Sequence, residues 1–310
     1  MTEPFFSVVT PAYNASAVIA RCLDSVAAQT DRSFEILVVD DGSADNTDEV
    51  VNAWSQAHPD VALQFFQQEN RGPAAARNRG IRVAKGKYIC FLDADDGWLP
   101  EKLAVIRDHI EASKGRDDIY THDVIFMERN RERLMECGPE RDYREMLQLG
   151  NCIITSATVV SRKALFEVEL FNDGPVFVGT EDYDLWLKLL RTGRSIALIH
   201  QALARYWVME SSLSQNYEMV SSSHRTVVQY HLAGFDLTEA EKARFLRFSD
   251  YTMYHNIGRR LQVEGNHKQA NGYFRKALRN NPFSIKTAIC CIGNCLGLEM
   301  RNPLRKNLSQ

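Results

Sequence analysis

Three carboxylates within four residues, Asp93-Ala94-Asp95-Asp96, close the apolar run Lys87–Leu92 (KYICFL). Neighbouring carboxylates repel one another, so such a cluster is costly unless its charge is offset. A hard divalent cation offsets it. Oxygen ligands suit Mg2+ or Mn2+, which take one or two protein carboxylates together with phosphate oxygens and water. Asp93, Asp95 and Asp96 are therefore candidate metal ligands, the bland alternative being an acidic turn that caps the next helix.

A second acidic turn, Asp40-Asp41-Gly42-Ser43, ends the run Glu35–Val39. A carboxylate there can accept from a nucleobase imide N–H or a ribose hydroxyl. The four residues can equally form a plain turn, with Asp capping and Gly taking the awkward backbone angles. Six basic residues lie between Arg71 and Lys87. Most fit a solvated helix face, but at about 100° per residue Arg77 shares the face of Ala74, Ile81 and Ala84. From the first turns of its helix it can pair with a diphosphate or with a nearby aspartate. Glu181-Asp182 opens a helical pattern. It reads as an acidic first turn that complements the helix dipole, or as the source of a carboxylate that takes a proton from a hydroxyl.

The elements that must position these residues alternate. Strand-like runs at Phe5–Thr10, Glu35–Val39, Val61–Phe66 and Lys87–Leu92 are separated by helical patterns. The first helix carries Val18, Ile19, Cys22, Leu23 and Val26, with Ser16 as a candidate N-cap. The second covers Asp45–Ala57, the third covers Pro73–Lys85 between a starting Pro and Gly86, and a fourth begins at Pro100. This α/β rhythm predicts a mostly parallel, Rossmann-like sheet flanked by helices, which binds ligands beyond the carboxyl ends of its strands. Pro11–Asn14, Asp40–Ser43 and Asp93–Asp96 all fall at such ends. Beyond Lys114 the rhythm breaks, with a charged stretch over Glu128–Arg144, a strand-like run at Ile153–Ser161 and a helix over Glu181–Arg191.

The composition excludes several classes. In 310 residues, 45% are hydrophobic and 25% charged, the mix of a globular protein. A formal net charge of −3 gives no positive field for nucleic acid. Seven cysteines, an odd and scattered set, point to reduced thiols. The start, MTEPFFSVVTPAYN, lacks the basic and apolar regions of a signal peptide, and no stretch reaches the roughly 20 apolar residues of a membrane span. The expected setting is cytoplasmic.

From Leu237 the pattern is purely helical, and Thr238 and Glu241 have capping-box spacing. Tyr254, Ile257, Gly258, Leu261, Ala270, Phe274, Ala277 and Pro282 lie at the offsets of one tetratricopeptide repeat. A solenoid needs about three such units, so the expectation is an all-helical appendage with one hairpin. Its uncharged run Ala288–Leu298, ahead of Arg301, Arg305 and Lys306, is a candidate for peripheral contact with the inner face of a membrane or with a protein partner; the alternative is a helix that caps the hairpin. The domain boundary is expected near residue 215, with a nucleotide-binding half to about 115, an acceptor half from 116, and the helical region over 216–310.

Four strings, SVVTPAYNA from Ser7, VVDDGSADNT from Val38, NRGPAAARNRGIRVAKGKYICFLDADD from Asn70 and TEDYDLWLKLLRTG from Thr180, in this order and spacing, resemble glycosyltransferase family 2. These are inverting enzymes of the GT-A fold, and the resemblance covers roughly residues 5 to 200. It implies that Pro11, Ala12, Tyr13 and Asp41 contact the nucleotide base, with Asp40 close by. Asp93 and Asp95 become the Asp-x-Asp pair around Ala94, Asp95 being the direct metal ligand and Asp96 an auxiliary one. Asp182 becomes the catalytic base. The implied reaction is a single displacement in which a metal-dependent enzyme moves a sugar from a nucleotide-sugar donor, read as a UDP-sugar, to a hydroxyl of a glycan or lipid-linked acceptor in polysaccharide biosynthesis. Met209 stands where many members have a histidine, so a third contact from that loop is not expected. The Gln-x-x-Arg-Trp string of processive members is missing, which favours one sugar per encounter. The competing readings are a sugar nucleotidyltransferase, which should show a Gly-rich basic loop where TPAYNAS stands, and a non-catalytic binding module.

Overall fold

The computed structural model describes residues 3–128, 131–207 and 216–295. Strands β1 (Phe6–Ala12), β2 (Phe34–Asp40), β3 (Leu63–Gln67) and β4 (Tyr88–Phe91) are the four expected from the apolar runs. They pair in parallel in the order β3-β2-β1-β4. Every residue of β2 is buried, as are all but one of β1, because helices cover both faces of a parallel sheet. One face carries Phe6, Val8, Ile36 and Val38. They pack with Ile19, Leu23 and Val26 of α1 (Ile19–Ala27), Val51 and Trp54 of α2 (Thr47–Ala57) and Leu103 and Ile106 of α4 (Lys102–Ala112). On the other, Phe91 meets Phe171 and Trp186 edge-on, at 5.3 and 6.2 Å between ring centres. Ser16 makes no side-chain cap: α1 starts behind Val18, and the backbone N–H of Ser16 donates to Asp45 Oδ2 instead.

The sheet continues as a mixed one. It adds β8 (Val159–Ser161), β6 (Ile119–Glu128), β9 (Ile196–Trp207) and β5 (Gly97–Trp98), with β7 (Arg131–Met135) on the side of β6. The strand expected over Ile153–Ser161 is only half formed. Thr155–Ala157 makes a 3-10 turn before β8, because the Thr158 hydroxyl donates to the Ile154 carbonyl and closes the backbone locally. A short α6 (Arg162–Glu167) follows β8, and the helix at Glu181–Arg191, α7, has the bounds read from sequence.

The chain divides into two compact units, and Arg141–Asn151 groups with the C-terminal helices while the rest of the first two hundred residues forms the other. Besides α5 (Tyr143–Leu149), the second unit contains α8 (Tyr217–Leu232), α9 (Glu239–Val263), α10 (His267–Asn280) and α11 (Ile285–Cys295). Thr238 and Glu241 make the expected capping box. Ile257, Leu261, Ala270 and Phe274 form the core of the α9–α10 hairpin. Gly258 has a steric reason to be glycine: a Cβ there would lie 2.6 Å from the Phe274 ring. The run through Leu298 and the basic residues Arg301, Arg305 and Lys306 lies partly or wholly outside the described residues, as does Met209.

Candidate active site

Parallel register brings the loop residues to one edge. Ala12 pairs with Asp40, and Phe91 pairs with Val9, so the β1, β2 and β4 ends lie side by side. The first two loops are laced together: Asn14 N donates to Ser43 Oγ at 2.8 Å, and Ala44 N donates to Asn14 Oδ1 at 2.8 Å. Tyr13 is 54% exposed over this edge, whereas Ala12 is buried. Asp40 accepts from the Ser43 hydroxyl and from Gln67. Gly42 takes φ +76°, and a Cβ there would meet Asn70 N at 2.9 Å, so the Asp40–Ser43 turn requires glycine.

Asp41 sets the start of the Arg77 helix. Its carboxylate accepts from Gln68 Nε2 at 2.8 Å, Arg71 N at 3.0 Å and Gly72 N at 2.7 Å. These bonds pin the loop ahead of α3 (Pro73–Val83), which begins on the proline noted in the sequence. Arg77 is thereby carried to the sheet edge, 5% exposed. Its Nη2 donates to Asp93 Oδ1 at 2.6 Å and its Nη1 to Glu181 Oε1 at 3.0 Å. Burial works against its charge, but Asp93 and Glu181 outweigh it and hold the guanidinium protonated. Of the two partner types read for Arg77, the structure shows carboxylates in place.

The Asp93–Asp96 turn is tight, with Asp96 N donating to Asp93 O at 3.0 Å. Ala94 is buried within it. Arg21 Nη2 donates to the Asp95 carbonyl at 2.7 Å and stacks its guanidinium 3.8 Å over the Trp207 ring. Asp96 is 1% exposed; one oxygen accepts from Trp207 N at 3.2 Å, the Ser156 hydroxyl also favours its ionised form, and Oδ2 has no partner within hydrogen-bond distance among the described residues. Burial and the neighbouring Asp93 push the Asp95 carboxyl up to about 6. Burial, Asp95 and Asp93 push Asp96 well above the usual carboxylate range. The turn thus holds more negative charge than its own surroundings balance, and a hard divalent cation fits that deficit.

At the other end of Arg77, Glu181 Oε2 accepts from Gly179 N at 2.7 Å. Asp182 accepts from Tyr183 N at 2.7 Å and from Thr155 Oγ1 at 3.2 Å. Burial and Glu181 raise its carboxyl to about 6 against the opposing pull of Arg77. A single turn also ties the two ends together. Ser156, beside Thr155, takes the Asp93 N–H on its hydroxyl at 3.1 Å. Its carbonyl accepts from Trp98 Nε1 and Lys102 Nζ, each at 2.9 Å. Lys102 is fully buried, which lowers its amine to about 7. Glu181 as the arginine's second partner, the Thr155–Ser156 turn, Arg21 and Lys102 were not visible in the sequence. Their only local trace is the pair of hydroxyls in an otherwise apolar run.

The model of the family described as Glycosyl transferase family 2 matches residues 7–172. The amylovoran biosynthesis glycosyltransferase AmsB of Erwinia amylovora is 32% identical over 291 residues, covering 89% of this chain and 91% of that protein. The chain belongs to glycosyltransferase family 2. This family 2 glycosyltransferase also shares its GT-A fold with solved structures. S. aureus TarS 1-349 in complex with UDP-GlcNAc superposes with a TM-score of 0.64 at 20% identity, over 96% of this chain and 93% of that one. The mannosyltransferase PcManGT of Pyrobaculum calidifontis, in complex with GDP-Man and Mn2+, gives 0.63 at 20% identity, over 96% and 81%. Among the described residues of the glycosyltransferase, no helix is long and apolar enough to cross a membrane.

Proposed function

We propose that this glycosyltransferase moves one sugar per encounter, with inversion, from a nucleoside-diphosphate sugar to a hydroxyl of a glycan or lipid-linked acceptor in polysaccharide biosynthesis. The observation that carries the proposal is Arg77, which bridges Asp93 of the acidic turn to Glu181 at the start of the helix bearing Asp182. In this reading that array joins a diphosphate end and a base at one edge of the sheet. Pro11, Ala12, Tyr13, Asp40 and Asp41 form the nucleotide end in this reading, with the exposed Tyr13 as the stacking surface. UDP-GlcNAc on TarS and GDP-Man on PcManGT support a nucleoside-diphosphate sugar donor, taken as a UDP-sugar in this reading.

Asp93, Asp95 and Asp96 would hold Mn2+ or Mg2+, which supplies electrostatic stabilisation to the departing diphosphate. Mn2+ in PcManGT and the orphaned Asp96 oxygen support that assignment. Asp182 takes the proton of the acceptor hydroxyl as its oxygen bonds to the anomeric carbon and the carbon–diphosphate bond breaks. Thr155 Oγ1–H and Tyr183 N–H hold the carboxylate in one orientation for that transfer. Arg77 acts at the diphosphate end through Asp93, which it neutralises in part and keeps aimed.

The proposed working place is the cytoplasmic side of a membrane, reached through the C-terminal helices. Phe283, Ile285, Ile289 and Ile292 are exposed there, while Thr287, Cys290 and Asn294 are buried on the inner side of α11. A thermal-shift screen of nucleotide sugars, each with and without Mn2+, tests the function: a ligand that binds only the native state raises its melting point. A stabilising UDP-sugar that needs the metal is expected, with the effect lost in Asp95→Ala. If no nucleotide sugar shifts the melting point with any divalent metal, the proposal fails.

A further inference from the structure

A second polar cluster uses none of the residues assigned above. Strands β6 and β9 pair in parallel up to His122 opposite Ile199, after which Asp123 stands opposite Ala202. His200 and Gln201 therefore bulge from β9, and bulges re-aim side chains. The bulge brings His200 Nδ1 to 3.6 Å from Asp123 Oδ1 and 3.8 Å from Cys137 Sγ. Cys137 follows the end of β7, and its backbone N–H donates to the same Asp123 oxygen at 2.6 Å. Carboxylate oxygen, imidazole nitrogen and sulfur all lie within 4.8 Å of one another.

Two physical features separate this cluster from a chance polar contact. Asp123 is 4% exposed, yet among the described residues its only ion-pair neighbour is His200, whose side chain is 65% exposed. A buried carboxylate without a committed cation is costly. The two separations from His200 Nδ1 also suit a metal. Around a tetrahedral Zn2+, bonds of about 2.0–2.3 Å place ligand atoms roughly 3.3–3.6 Å apart. The two measured separations need to contract by at most a few tenths of an ångström.

We propose that Asp123, Cys137 and His200 form a binding site for a thiophilic divalent metal ion of the Zn2+ class, which pins the end of β7 to β6 and β9. One sulfur, one nitrogen and one oxygen select Zn2+ or Co2+ over the oxygen-seeking Mg2+ and Mn2+ of the acidic turn. Solvent completes the fourth position on the exposed side of His200. As the metal–sulfur bond forms, the S–H bond breaks and the thiol proton passes to solvent.

The test uses the full chain, stripped with chelator and kept in a non-thiol reductant, titrated with Co2+ alone. A thiolate-to-cobalt charge-transfer band in the near ultraviolet is expected to grow to saturation and to bleach when Zn2+ is added. It should vanish in Cys137→Ser, weaken in His200→Asn and persist in Asp95→Ala, because the acidic turn offers no sulfur. No band in the wild type overturns the proposal, and so does a band that survives Cys137→Ser, which would belong to other cysteines. Should Cys137→Ser fail to fold, His200→Asn decides: unchanged Co2+ affinity in that surface variant also overturns it.

Discussion

Glu181 and Asp182 begin a helix with several hydrogen-bond donors on their carboxylates, whereas the carboxylates of Asp95 and Asp96, after β4, have fewer. Arg77, Gly179 N–H, Tyr183 N–H and the Thr155 hydroxyl all bond the first pair. In the second, Arg77 reaches only Asp93, Arg21 meets the Asp95 carbonyl rather than its carboxylate, and one Asp96 oxygen is orphaned among the described residues. The difference fits the two roles proposed for these stretches. In the proposed roles a base must be aimed before its substrate arrives, and Thr155 and Tyr183 N–H aim Asp182, although burial and Glu181 still raise its carboxyl to about 6. A diphosphate site, as proposed for the acidic turn, would stay short of positive charge until metal and donor complete it.

The largest effect that sharpens this contrast is on Asp182. A general base contributes about 10²–10⁴-fold, so Asp182→Asn should lower kcat by that factor, measured at saturating donor and acceptor. Next comes Arg77→Met, which leaves Glu181 and Asp93 facing each other unpaired. Removing one partner of a buried ion pair costs about 3–5 kcal/mol, so chemical denaturation should show a loss of that order. A loss under 1 kcal/mol would mean that Arg77 does not hold the two ends together.

The pH dependence follows from Asp182 in its raised state. The carboxylate must be free of its proton to act, and its pKa is about 6. kcat should therefore be flat above that pH and fall about tenfold per unit below it. A profile still flat at pH 5 would break the assignment. The smallest effect belongs to Ser156→Ala, which leaves the part-buried Asp93 N–H without its acceptor at a cost of about 1 kcal/mol. Both kcat and donor affinity should drop modestly together, because the Thr155–Ser156 turn touches both stretches.

The parallel half of the sheet and most candidate site residues were legible because local signals carry them: apolar runs that end in Asp, a proline at the start of the Arg77 helix, and an acidic first turn at Glu181. What was illegible is non-local or disguised. Arg77 meets Glu181 across 104 positions and Asp93 meets Ser156 across 63, and no spacing rule reaches that far. Strand β7 is an edge of charged residues, RERLM, and β9 is interrupted by His200, Gln201 and Arg205 at or beyond its bulges. Both lose the apolar alternation by which a strand is recognised. The grouping of Arg141–Asn151 with the C-terminal helices depends on tertiary packing, not on composition.

Calorimetric titration of Asp182→Asn with the stabilising nucleotide sugar, first in chelator and then in Mn2+, tests the division of labour most directly. The variant should bind donor as tightly as the wild type in Mn2+ and not measurably in chelator. Donor binding that survives chelation, or that is lost with Asp182, would contradict it.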